Sequence, residues 1–161
     1  MIVSTAVSTL CLCMATVWWK IVHGFRGYLQ YSIEKDDLSS PEKLAQVYAG
    51  GVFLVATTDS KNDDAIVGMV AGQSGKQKGT FELRRMSVAR AFRRQGVALQ
   101  LLQALEEELK PARQIYLTCS SAQGPARRFY QRAGFACVKE FQFGSWFTKQ
   151  GLSFFRYEKN Y

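Results

Sequence analysis

At 161 residues and 47% apolar side chains, the chain can close one sizeable core and is too apolar to be disordered. Its net charge of +8 gathers at Arg84, Arg85, Arg90, Arg93 and Arg94 and at Arg127, Arg128 and Arg132, without zinc-finger spacing or an RNP-type aromatic motif, so no nucleic-acid partner is expected. The four cysteines suggest no disulfide framework and the single His23 has no ligand-spaced partner, so no metal site is expected either.

Met1–Trp19 carries no charged side chain and is followed by Lys20, His23 and Arg26. That length just suffices for a transmembrane helix, Trp18 and Trp19 suit the membrane interface, and no basic leader or small-residue cleavage site marks a signal peptide. Residues 1–26 therefore read as a hydrophobic membrane-anchor segment, with a buried or interfacial helix as the alternative. Lys20 and Arg26 favour a following domain, residues 27–161, on the cytosolic side.

Gly27–Asp37 reads as a linker, with a possible extended piece at Tyr28–Ile33. Ser39-Ser40-Pro41-Glu42 combines a serine cap, a first-turn proline and an acid at the positive helix end, predicting a helix over Pro41–Ala49 that stops at Gly50-Gly51. Val52–Thr58 and Ala65–Gly72 predict a hairpin, and Ser74–Thr80 a loop. Phe81–Val88 is rich in bulky and β-branched residues and predicts the central strand. From Val97 the period changes: Val97, Leu101, Leu105 and Leu109 make a helical stripe flanked by Ala98 and Leu102. Gln114–Ser120 predicts a strand, Pro125 opens a helix ended by Gly134, and Ala136–Phe143 and Leu152–Tyr157 predict two more strands. The order indicates a mixed sheet with helices packed on it. Cys119 and Cys137 are expected to be buried as small hydrophobes.

Between the central strand and its helix stands Arg93-Arg94-Gln95-Gly96-Val97-Ala98. Small residues at a helix start let a ligand approach the free N–H groups and the positive dipole end, and two arginines add charge suited to phosphates. This chemistry points to a polyphosphate; the alternative is an ordinary strand-to-helix turn with solvated arginines.

Together with Ala126-Arg127-Arg128-Phe129-Tyr130-Gln131-Arg132-Ala133-Gly134-Phe135, that turn resembles the GNAT acetyltransferase superfamily from about Val52 to the C-terminus. With the apolar segment, the tyrosine-containing linker and Met86-Ser87-Val88, it is similar to the camello-like membrane-associated N-acetyltransferases. The resemblance implies an α/β (α+β) fold, a GNAT-like mixed sheet flanked by helices, here with an N-terminal hydrophobic helix. Neither an opening strand–helix unit nor the long hydrophobic hairpin of the camello-like group is found, so the chain looks shortened at its start.

The resemblance further implies acetyl-CoA as co-substrate and direct acetyl transfer to an amine: a small molecule, a cysteine conjugate or a protein lysine. Its pyrophosphate would rest on the N–H groups of Gln95, Gly96, Val97 and Ala98 beside Arg93 and Arg94. Met86, Ser87 and Val88 would line the pantetheine arm, a main-chain N–H there polarising the thioester carbonyl, with Ala126 and Phe129 also on the cofactor side. Glu82 matches the base found in part of the superfamily, against the alternative of a strand residue paired with Arg84. Tyr130 holds the acid position, against the alternative of a core aromatic. A membrane, at the endoplasmic reticulum or another endomembrane with the catalytic domain facing the cytosol, is the implied location. Two other classes stay open: a catalytically inactive acetyl-CoA-binding module, and a basic nucleic-acid or membrane-surface binder.

Overall fold

The computed structural model describes residues 40–58, 65–142 and 153–161. The chain divides into two units, residues 1–47 and 48–161. Of the first unit, helix α1 (Pro41–Val47) is described. The backbone N–H of Lys43 donates to Ser40 Oγ at 3.2 Å, so Ser40 caps it. Hydrogen bonds to its own backbone N–H and to Ser40 lower the Glu42 pKa. The expected anchor Met1–Trp19 and the Tyr28–Ile33 piece lie outside the described residues. No helix among the described residues is long and apolar enough to cross a membrane.

The second unit contains β1 (Val52–Thr57), β2 (Ile66–Ser74), β3 (Thr80–Val88), α2 (Val97–Glu108), β4 (Gln114–Ser120), α3 (Gly124–Arg132), β5 (Ala136–Phe141) and β6 (Phe154–Asn160). A single 3-10 turn, Arg90–Phe92, follows β3. The strands form one six-stranded mixed sheet in the order β1-β2-β3-β4-β6-β5, in which only β3 and β4 run parallel. The expected hairpin is β1–β2. Ser74 and Thr80, expected in a loop, belong to strands instead. β6 runs on to Asn160, beyond the expected end at Tyr157, and there Glu158 and Lys159 find ionic partners in Arg156 and Glu106 (2.7 and 2.8 Å). Phe143 and Leu152, expected in the last two strands, lie outside the described residues.

The core lies on one sheet face. The predicted α2 stripe supplies Leu101, Leu102, Leu105 and Leu109, all buried, against Val70, Leu83, Ile115 and Leu117 of the strands. Two β2 glycines permit the close approach of α2. A Cβ on Gly68 would lie 2.9 Å from Leu101 Cδ1, and one on Gly72 2.8 Å from Leu109 Cδ1 and 3.1 Å from Leu105 Cδ1. Farther along the same face, α3 places Tyr130 in the cluster with Cys119, Phe135 and Tyr157. Cys119 is buried as expected, whereas Cys137 is exposed. The reason is position: β5 is an edge strand, and residues 136–140 are exposed on both of its faces.

Replacing Gly72 by valine forces two α2 leucines to move, at a cost of roughly 1–3 kcal/mol. Urea unfolding of the variant is expected to show a lower midpoint with an unchanged slope, the mark of lost stability rather than altered compactness.

Candidate functional site

The parallel pairing of β3 with β4 is short. Only Thr80↔Gln114, Phe81↔Ile115 and Glu82↔Tyr116 are in register. Beyond Glu82, β3 runs on to Val88 beside β2, and β4 runs on to Ser120 paired with β6 along its whole length. Each strand thus keeps its outer neighbour and loses its inner one, and a wedge opens between them. Backbone groups lining the wedge lack a strand partner among the described residues, so a ligand with amide groups can complete them.

A bulge in β3 shapes one wall. Ala71 pairs with Arg84 but Met69 pairs with Ser87, leaving Arg85 and Met86 opposite Val70 alone. Arg85 takes the left-handed conformation that absorbs the extra residue (φ 56°). Strict alternation from Leu83 would aim Arg85 and Ser87 at the core. The bulge shifts the phase, so that Met86 and Val88 pack against the core cluster and Ser87 is exposed.

At the open end of the wedge, β3 passes into the basic turn. Arg94 and Gly96 are left-handed (φ 66° and 87°), while Gln95 between them is not. Such alternation turns successive N–H groups toward one side, making a concave anion site. The N–H groups of Gln95, Gly96, Val97 and Ala98 have no backbone acceptor among the described residues. A Cβ on Gly96 would meet only Gln100 Nε2, at 3.9 Å, so the space above the turn is open. Arg93 and Gln95 brace it from behind: Arg93 Nε donates to the Val88 carbonyl at 2.9 Å and Gln95 Nε2 to the Ala91 carbonyl at 3.0 Å. Arg93, expected beside the phosphates, thus uses its Nε to hold the loop, while Arg94 is exposed. Because α2 and α3 both follow parallel strands, their N-termini lie at this same end of the sheet.

Glu82 lies at the opposite, closed end, in the last registered pair before the strands part. Arg84, the expected alternative partner of Glu82, donates through Nη1 to Gln73 Oε1 at 3.0 Å. Tyr116, across the pair, has its phenol pKa raised by burial and then by the charge of Glu82, with Arg156 opposing. Tyr130 is 6% exposed, its ring edge-on to Phe129 and Phe135 at 5.2 and 5.8 Å. The ring is therefore a core aromatic, and Ala126 and Phe129 pack against the same cluster. Its hydroxyl has no hydrogen-bond partner among the described residues. Burial first, and the Cys119 thiol second, hold the Tyr130 phenol far above the ordinary tyrosine pKa, so it stays protonated across the physiological range. No group of metal-ligating side chains occurs among the described residues.

The sequence profile of the acetyltransferase (GNAT) family matches residues 18–135, well over half of the chain. The chain belongs to the GNAT acetyltransferase family. The match starts upstream of Val52, where the sequence motifs first carried the resemblance. A GNAT acetyltransferase from Staphylococcus aureus Mu50 superposes with a TM-score of 0.62 at 25% identity, over 81% of this chain and 87% of its own. A GNAT acetyltransferase from Elizabethkingia anophelis, solved with acetyl-CoA bound, gives 0.59 at 16% identity over 76% and 84%. The ribosomal-protein-S18-alanine N-acetyltransferase of Escherichia coli gives 0.60 at 16% identity over 75% and 76%. A comparison with curated proteins found no match. The acetyl donor of this family is acetyl-CoA, and the residues present fit it: an anion nest, an amide-lined wedge and an unpartnered hydroxyl.

Sequence reasoning did not single out Tyr116, Arg156 or Glu158, which share a sheet face with Glu82. Their alternation with buried Ile115, Leu117 and Tyr157 was readable; their pairing across three strands was not.

Because a side chain at φ 87° is strained by about 1–2 kcal/mol, Gly96→Ala is expected to deform the nest. Calorimetry should show several-fold weaker acetyl-CoA binding, with the sheet signal in circular dichroism retained.

Proposed function

We propose that this chain is an N-acetyltransferase acting by direct attack of an amine, with Glu82 as base and Tyr130 as acid. The observation that carries the reading is the wedge itself, with an anion nest at its open end and a carboxylate at its closed end. Bound acetyl-CoA supplies the acetyl thioester that the amine attacks. The N–H groups at residues 95–98 hold the diphosphate, with Arg94 adding charge. The free edge of β3 at Met86–Val88 binds the pantetheine amides, and a main-chain N–H beside the bulge steadies the oxygen of the carbonyl under attack.

An alkyl amine is protonated at neutral pH, with a pKa of about 10. Glu82 takes its proton, directly or through a water, and the phenol of Tyr130 delivers one to the departing sulfur. The apolar wall around Tyr130 keeps water from competing for that proton. The apolar run Met1–Trp19 supports attachment to an endomembrane, with the catalytic domain facing the cytosol and a camello-like affiliation.

Release of free CoA over a panel of amines tests the activity. Stabilisation of the fold by acetyl-CoA without CoA release would instead mark an inactive binding module, and no stabilisation at all would refute the cofactor reading. Tyr130→Phe keeps the core ring and is expected to lower turnover roughly 10²-fold with acetyl-CoA affinity unchanged, in the range of a lost general acid. Unaltered turnover would remove Tyr130 from the mechanism. Glu82→Gln should lower turnover at pH 7 and recover as the pH approaches about 10, where the amine is already neutral. A deficit independent of pH would assign Glu82 to structure alone.

A further inference from the structure

On the sheet face opposite α2 and α3, Glu82, Tyr116 and Glu158 stand side by side, since Glu82 registers with Tyr116 and Tyr116 with Glu158. One step toward the open end of the wedge, Arg156 registers with Thr118. Its guanidinium is held on two sides. The carbon centre lies 4.1 Å from the Tyr116 ring centroid, and Nε donates to Glu158 Oε1 at 2.7 Å. Glu158 is itself fixed, its Oε2 accepting from Gln114 Nε2 at 3.1 Å. Residues of β4 and β6 thus orient a single guanidinium by its face and its Nε edge. Its two Nη groups have no acceptor among the described residues, and the side chain is 37% exposed.

Resting on the acetyltransferase reading above, we propose that Arg156 is an anion subsite of the acceptor pocket, and that the acceptor is an amine bearing a carboxylate a few bonds from its nitrogen. Tyr116 is the spacer. Glu82 and Arg156 stand on strands two intervals apart, roughly 9–10 Å, and the guanidinium lies over the Tyr116 ring between them, a span that a short carbon chain and its two hydrogen bonds cover. The fork of Arg156 matches a carboxylate, and with Nε committed to Glu158 the Nη edge is the part left to bind one.

The charges on this face favour the same acceptor. Glu82 and Glu158 stand against Arg84, Arg156 and Lys139, the last in register with Arg156 from β5. A bare cation, such as a lysine side chain or a polyamine, meets a face with a positive excess. A zwitterionic acceptor places its ammonium at Glu82 and its carboxylate at Arg156, so that each charge lies beside its opposite.

The test uses the full chain and CoA conjugates in which an acetyl linker joins the sulfur to the nitrogen of glycine or of 4-aminobutyrate, each compared with its carboxamide. Calorimetry is expected to show one carboxylate conjugate binding about tenfold or more tightly than its carboxamide, the scale of a charge-assisted pair. Arg156→Ala should erase that gap by weakening the carboxylate conjugate alone, and Arg156→Lys should retain part of it. Equal binding within both pairs, or a gap that survives Arg156→Ala, overturns the subsite. Failure of every conjugate and of CoA itself to bind the wild-type chain would overturn the acetyltransferase reading and the subsite with it. If the alanine variant fails to fold by circular dichroism, the wild-type comparison and the lysine variant decide.

Discussion

The parting of β3 from β4 after Glu82↔Tyr116 is the constraint on which the rest depends. Each strand has a stronger commitment on its far side. β4 is paired with β6 for its full length, and β3 follows β2 through a bulge that bends it. A continuous parallel pair would bury its own amide edges and leave no place for a ligand. Because the pair opens, the basic turn at one end and the Glu82 carboxylate at the other lie along one cleft. The α2 leucines, seated on Gly68 and Gly72, keep β2 and β3 together while this happens. Helix packing and site geometry are therefore one problem, since loosening α2 would let β3 relax toward β4.

Much of this was legible in the chain. The leucine stripe of α2 has the helical period over three turns, so its buried face follows from residue spacing alone. β4 was bounded correctly by its run of bulky residues. The turn at Arg93–Ala98 suggested an anion site through residue chemistry alone, and the structure gives that turn a left-handed backbone at Arg94 and Gly96. Long-range pairing set the limit. Nothing local in Ala136–Phe141 says that it is an edge strand, so Cys137 was expected inside. Little local says that Glu158 and Lys159 extend β6, because the residues they register with, Tyr116 and Ile115 of β4, and the Glu106 partner of Lys159 are all far away in sequence. The bulge at Arg85 was also hidden, although a strand that otherwise drives Arg85 and Ser87 into the core carries a trace of it.

The two sides of the cleft differ in how they are made. The proposed donor side is mostly backbone: N–H groups of a turn, the edge of a strand, a bulge. Backbone sites need small residues and particular dihedral angles, which leave short, dense motifs. The proposed acceptor side would be made of side chains from β3, β4 and β6, each separated from the next by many residues. Glu82, Tyr116 and Arg156 become neighbours only through strand register. That is why a family could be read from the chain while its acceptor chemistry could not.

Tyr130 joins the two descriptions. Its ring does what the helix period demands, filling the core between Phe129 and Phe135. A phenylalanine would fill that space equally well and without the hydroxyl. Burying a hydroxyl with no partner costs about 1–3 kcal/mol, and the described residues supply none. Core packing therefore accounts for the ring and not for the oxygen. In the proposed reaction the departing thiolate would accept from that hydroxyl, which would turn an unfavourable feature of the fold alone into a favourable one of the loaded site.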